Sequence, residues 1–133
     1  MSIHSPHVGL PPQRFRNLYN RRENSGFESP HELRDIVLAA VDFSIHKVFV
    51  DLKMQGMYDN SVILVTTDNG GGPWYSNLPL KGTKETMYEG GIRGASFVNS
   101  PLLNMSGYKY NGLMHITDWV PTLLGLAGIK SLF

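Results

Sequence analysis

The stretch that most constrains the fold is residues 63–72, an apolar run that ends in an acid, an amide and three glycines. Its apolar part is rich in β-branched residues, which is typical of a buried strand. The strand predicted over residues 61–67 does not alternate between apolar and polar side chains. We therefore expect it to be covered on both faces, as in the centre of a parallel sheet. Such a strand delivers Asp68 and Asn69 to its carboxyl end, where ligands bind in open α/β sheets.

Asp68 and Asn69 permit two interpretations. Carboxylate and amide oxygens are typical ligands of Ca²⁺ or Mg²⁺ rather than of zinc or copper. The sequence Asp-Asn-Gly is also strong β-turn chemistry that needs no metal. A calcium ion takes about 6 to 8 oxygen ligands, so two side chains would form only part of its shell. The residues by themselves leave both interpretations open.

The clearest helix is predicted to begin at Pro30 and to stop at Gly56. Ser29 can cap it and Glu32 completes a capping box, while apolar residues follow at helical spacing. Asp42 and His46 lie four residues apart on this helix. This spacing favours a solvated or locally paired face over a functional site.

A second helix is predicted over residues 117–128, with Thr117 as its cap, Pro121 in its first turn and Gly128 at its end. A second short strand is predicted over residues 95–99. The order helix, turn, strand predicts an α/β fold with a central, mostly parallel sheet flanked by helices. Two strands cannot bury such a sheet alone, so either more strands lie in the loops or the fold is part of something larger.

Composition excludes several classes of function. The net charge of +1 gives no reason to expect nucleic acid as a partner. There is no cysteine, which excludes disulfides, thiolate metal sites and a cysteine nucleophile. No apolar run approaches the ~18 residues of a membrane span, and the first residues do not resemble a signal peptide. Asn104 begins a formal N-glycosylation acceptor, which has meaning only in a secreted chain.

Four blocks occur in order over residues 68–123, and together they resemble the sulfatase family, in particular the arylsulfatase B group. The beginning of the chain and the predicted first helix are similar to the same family, but less closely. The blocks are Asp68-Asn-Gly-Gly71, Leu80-Lys-Gly-Thr-Lys84, Tyr88-Glu-Gly-Gly-Ile-Arg-Gly94 and His115-Ile-Thr-Asp-Trp-Val-Pro-Thr-Leu123.

This resemblance implies an alkaline-phosphatase-like α/β fold and calcium-dependent hydrolysis of sulfate esters. Asp68 and Asn69 match the family's second pair of calcium ligands, and Lys84 matches the lysine that holds a sulfate oxygen. His4 matches the histidine beside the leaving-group oxygen, and His7 is the second choice for a histidine that contacts substrate. Related phosphodiesterases usually carry a zinc-binding histidine at the position of Asn69, so this amide favours calcium.

The departures from the family pattern are equally specific. The sequence has neither a cysteine nor an S-x-P-S-R motif, which would supply the formylglycine nucleophile, and no acidic pair near its start. The resemblance therefore implies that residues 1–133 are a partial sulfatase catalytic domain, without the N-terminal nucleophile region and the C-terminal domain. We expect weak calcium binding and no catalysis by the isolated chain.

An alternative function is a non-catalytic, sulfatase-derived module that binds a sulfated glycan or a protein partner. Lys81, Lys84 and Arg93 would then contact sulfate, while Trp74 and Tyr75 would stack on sugar. Family membership implies a lysosomal or secreted location, although no signal sequence is recognisable. A phosphodiesterase relative is a third option that Asn69 disfavours.

Overall fold

The computed structural model describes residues 30–73 and 75–130, with side chains from residue 34 onward. The chain divides into two compact units, Met1–Leu103 and Asn104–Phe133. The first unit contains a long helix, a pair of strands and the loops between them, and the second contains a shorter helix.

The first helix, α1, runs from Pro30 to Met54, which confirms the helix predicted from capping and periodicity. It ends in a Schellman arrangement around Gly56, whose φ is 66°. The Met57 amide donates to the Leu52 carbonyl at 2.9 Å and the Gly56 amide to the Lys53 carbonyl at 3.1 Å. Glycine suits this position because it adopts a positive φ without steric cost.

The exposed face of α1 behaves as a solvated surface. Asp42 and His46 are both exposed and have no hydrogen-bond or ion-pair partner among the described residues. Lys47 instead pairs with Asp51 at 3.0 Å, one turn further along. Exposure and local pairing are thus what the described part of this face shows.

A 3₁₀ turn, Tyr58–Asn60, leads from α1 to the first strand, β1, which runs from Ile63 to Thr66. Tyr58 contacts both the end of α1 and Asn99, a residue of the second strand described below. Its ring lies 6.1 Å from that of Phe49 on α1, and its hydroxyl donates to Asn99 Oδ1 at 2.9 Å.

The second strand, β2, runs from Ser96 to Asn99 and pairs with β1 in antiparallel fashion. Ile63 lies opposite Asn99, and Thr66 lies opposite Ser96. Thr67 extends the pairing, since its amide donates to the Ala95 carbonyl at 2.9 Å and its hydroxyl accepts from the Ala95 amide at 2.8 Å.

Two expectations about this sheet are corrected within the described residues. The sheet there has two strands and is antiparallel, because the loop over residues 67–95 returns the chain to the carboxyl end of β1. No described strand runs parallel to β1. The residues of β1 are half-buried or exposed rather than buried, since the described elements do not cover both faces of the pair.

The helix α2 spans only Glu89–Ile92, within the third of the four family blocks. In the second unit, α3 runs from Trp119 to Leu126 and follows a 3₁₀ turn, Ile116–Asp118. Its start differs from prediction, because Asp118 rather than Thr117 is its N-cap, while His115 caps the 3₁₀ turn that precedes it. The His115 amide donates to Asp118 Oδ2 at 2.7 Å, while His115 Nδ1 lies 2.9 Å from the Thr117 hydroxyl.

The end of α3 is confirmed. Gly128 has a φ of 76°, and the Ile129 amide donates to the Leu124 carbonyl at 2.9 Å. Pro121 lies in the first turn, where its missing N–H has no intrahelical partner to lose.

Burial is sparse in the described part of the chain. Ile36 and Val37 of α1, 2% and 9% exposed, are the described apolar residues that count as buried core. None of the described helices is both long enough and apolar enough to cross a bilayer.

Candidate active site

Asp68 and Asn69 lie just beyond β1, after Thr67, and present oxygen atoms without partners in the described structure. Asp68 is exposed, and its carboxylate has no hydrogen bond or ion pair with any described residue. Asn69 is half-buried, and its Nδ2 donates to the Gly70 carbonyl at 2.7 Å. This bond orients the amide and leaves its oxygen available as an acceptor.

Lys84 belongs to a second loop that meets the first at its backbone. The Lys84 amide donates to the Gly71 carbonyl at 2.9 Å. A third segment joins them, because the Gly70 amide donates to the Gly91 carbonyl, also at 2.9 Å. Segments 68–71, 81–84 and 89–92 therefore converge beyond the end of β1.

The side chain of Lys84 differs from those of two neighbouring cations. Its ammonium group has no carboxylate, hydrogen-bond or ring partner among the described residues. Lys81 Nζ instead lies 4.2 Å from the centre of the Tyr88 ring. Arg93 pairs with Glu89 at 3.6 Å. Of these three cations, Lys84 is the one whose charge is available to an anion.

Asn77 holds the first two loops together. Its Oδ1 accepts from the Gly71 amide at 2.9 Å, while its Nδ2 donates to the carbonyls of Gly71 at 2.9 Å and Gly82 at 3.1 Å. The Asn77 carboxamide thus bonds both the N–H and the C=O of Gly71. It also bonds Gly82, which lies in the loop that carries Lys84 (the lysine loop). Sequence reasoning missed this residue. The available signal was that glycine-rich backbone needs polar partners and that asparagine readily supplies them.

Gly90 is buried, and its backbone is in close contact with the lysine loop. Its amide donates to the Lys81 carbonyl at 2.7 Å. A Cβ at this position would overlap the carbonyl oxygens of Gly82 and Lys81. The lysine loop can therefore pack against this segment only if position 90 of the Glu-Gly-Gly sequence is glycine.

The turn beside Lys84 has an unusual conformation. Glu85 is exposed and has a φ of 75°, the left-handed region that costs a non-glycine residue about 1 to 2 kcal/mol. Thr86 closes this turn, since its amide donates to the Thr83 carbonyl at 3.0 Å and its hydroxyl to the same oxygen at 2.7 Å. These bonds fix the backbone from which Lys84 projects.

The donor atoms of the site fit a hard cation in type. The Asp68 carboxylate and the Asn69 amide oxygen, which have no partner among the described residues, are of the types that suit Ca²⁺. The described residues contain no group of three or more histidine, aspartate or glutamate side chains that could hold a metal by themselves. Asp68 and Asn69 would therefore supply part of a shell. The two histidines predicted to contact substrate, His4 and His7, lie outside the described residues, as does Trp74.

Comparison with known proteins identifies the family. The sulfatase family model matches residues 1–129. The chain belongs to the sulfatase family. Mouse (Mus musculus) arylsulfatase J is 50% identical over 93 residues, which are 68% of this chain and 16% of that protein. The uncharacterised sulfatase YdeN of Escherichia coli (strain K12) is 32% identical over 115 residues, which are 84% of this chain and 20% of that protein.

A solved structure shares the fold of this sulfatase chain. The crystal structure of Ps i-CgsB in complex with k-i-k-neocarrahexaose matches with a TM-score of 0.81 and 28% sequence identity. The match covers 96% of this chain and 28% of that one. The sulfatase chain thus spans less than a third of the relatives it resembles.

Proposed function

We propose that this chain supplies part of the catalytic site of a sulfuric ester hydrolase. In it, Lys84 holds a sulfate oxygen, and Asp68 and Asn69 belong to a calcium shell. The observation that carries this proposal is the joining of the two loops at Gly71. The Lys84 amide and Asn77 both bind this residue, within the segment that begins at Asp68.

Each residue has a separate task in this proposal. Bound calcium would polarise the sulfate group and so favour attack at sulfur. Lys84 carries a compact charge with three donors, which suits a tetrahedral oxyanion. His4 would donate a proton to the leaving alcohol, and His7 would contact the substrate.

The nucleophile is not among the residues of this sequence, which has no cysteine and no S-x-P-S-R motif. We therefore infer that the 133-residue chain alone does not turn over sulfate esters. Assay of the purified chain with an aryl sulfate should show no product above background. Turnover that disappears on Lys84→Ala or Asp68→Asn would overturn this inference.

A carbohydrate sulfate ester is the substrate class we propose. It is supported by the similarity to the Ps i-CgsB structure, which was solved with k-i-k-neocarrahexaose. It is also supported by the ammonium group of Lys84, which has no partner among the described residues, because a sulfate group is a suitable partner for a lysine. We further propose a lysosomal or secreted location, where such sugars are found.

The experiment that tests the site is a binding titration with a sulfated oligosaccharide and its desulfated form. We expect preference for the sulfated ligand, reduced at least several-fold by Lys84→Ala. Lys109→Ala, which removes an exposed lysine elsewhere, is the matched control and should bind like the unmodified chain. Equal loss in both variants would indicate non-specific charge attraction and contradict the role of Lys84.

A further inference from the structure

The sequence contains one Asn-x-Ser/Thr triplet, Asn104-Met105-Ser106, among its 133 residues. This triplet is the acceptor sequence for N-linked glycans when the middle residue is not proline. The sulfate site proposed above does not include these residues. The single occurrence also means that any N-glycan can be assigned to one position.

The structure leaves this triplet accessible. Asn104, Met105 and Ser106 are all exposed and lie in irregular backbone. Their side chains have no hydrogen-bond partner among the described residues, and none of the described loop hydrogen bonds involves their backbone. Gly107 follows with a φ of 72° and turns the chain. A segment with these properties can enter a modifying enzyme without breaking secondary structure.

We propose that Asn104 is an N-glycosylation site. The chemical step joins Asn104 Nδ2 to the anomeric carbon of an oligosaccharide carried on a lipid pyrophosphate. The bond between that carbon and the pyrophosphate oxygen breaks, Nδ2 loses a proton, and the lipid pyrophosphate leaves. No oxidant or reductant is needed. The proposal rests on the secretory location given above, because the lipid-linked donor is used in that pathway.

The surroundings of Asn104 give the glycan a physical effect. Met105 and Tyr108 are each 63% exposed, so apolar surface lies close to the acceptor. A bulky, hydrated glycan shields such surface from association. The modified chain should therefore stay in solution at higher concentration than the unmodified chain.

The test is cell-free translation of the full chain, fused behind a cleavable secretory leader, in the presence of endoplasmic reticulum microsomes. Protection from added protease identifies the chains that have entered the lumen. We expect these chains to carry a glycan that peptide-N-glycosidase F removes. Asn104→Gln and Ser106→Ala should abolish it. Ser106→Thr should retain it, as should the control Asn111→Gln, which alters an exposed asparagine outside the triplet.

Two results would overturn the proposal. One is a protease-protected chain that is insensitive to the glycosidase in both the unmodified and the Ser106→Thr forms. The other is a glycan that persists in Asn104→Gln. The Lys84→Ala chain should be glycosylated normally, so failure of the proposed sulfate site and failure of this modification are distinguishable.

The folded state provides a second readout. Because Asn104 is exposed, the glycosidase should release the glycan from the purified, folded chain without denaturant. Release that occurs only after denaturation would contradict the accessibility on which the proposal depends.

Discussion

At the residue scale, Asp68 combines exposure with a carboxylate that has no partner in the described structure. We predict that the chain binds Ca²⁺ weakly and that Asp68→Asn abolishes this binding, because the substitution removes the only charged ligand of the adjacent pair. Isothermal titration calorimetry measures the effect. The matched control is Asp59→Asn, an exposed acid in the 3₁₀ turn, which should retain binding. Identical titrations for the two variants would contradict a calcium role for Asp68.

Asn77 supplies the side-chain hydrogen bonds that join the loop of Gly71 to the loop of Lys84. Asn77→Ala removes three hydrogen bonds and should lower the free energy of unfolding by about 1 to 3 kcal/mol. Amide hydrogen exchange should accelerate at Gly71, whose N–H loses its acceptor. Asn111→Ala makes the same change where no described residue bonds the side chain, and should have little effect. An unchanged rate of amide exchange at Gly71 would show that the hydrogen bonds of Asn77 are not needed to hold this loop.

At the element scale, two glycines should respond in opposite directions to the same substitution. Gly90→Ala places a Cβ against the carbonyl oxygens of Gly82 and Lys81, and should destabilise the chain by about 1 to 3 kcal/mol. Gly125→Ala lies within α3 with nothing near the added atom, and should stabilise it by up to about 1 kcal/mol. Denaturant unfolding of both variants measures the difference. A Gly90→Ala variant that is as stable as the unmodified chain, or more stable, would contradict the close packing at Gly90.

The start of α3 shows how element boundaries respond to small differences. Thr117 and His115 are both able to accept a backbone hydrogen bond at this helix start. The extended backbone of His115, with φ −112° and ψ 155°, makes it the cap of the 3₁₀ turn that precedes α3. Thr117 is already inside the 3₁₀ turn and instead supports the His115 ring through its hydroxyl. The predicted cap of α3 was wrong by one residue, because Asp118 is its N-cap, although the helix and its end at Gly128 are confirmed.

At the scale of the whole molecule, exposed apolar surface is extensive. In β2, Phe97 and Val98 are 49% and 44% exposed, and Leu38 of α1 is 48% exposed. Exposed apolar side chains of this size promote association. We predict that the isolated chain binds a hydrophobic dye and self-associates as its concentration rises, which light scattering after gel filtration would measure. A monomeric species without dye binding and with a sharp, cooperative melt would identify a self-sufficient module instead.

A large part of this protein was predictable from local sequence. The bounds of α1, the glycine that ends each main helix, and the position of Asp68 and Asn69 after a strand all follow from residues within a turn or two of one another. Capping, helical periodicity and the preference of glycine for positive φ act over such short distances. The family blocks also singled out Lys84, which no local pattern distinguishes from a surface lysine.

The tertiary structure decided the relations between distant segments. The antiparallel pairing of β1 with β2 depends on how the loop over residues 67–95 returns, and no periodicity in the sequence records this path. The bonds of Asn77 to Gly71 and Gly82, and the contact of Gly90 with the lysine loop, likewise exist only once these segments are folded together. Such contacts are set by backbone geometry summed over many residues. The sequence by itself therefore determined which side chains are presented after β1, and the fold determined what holds them there.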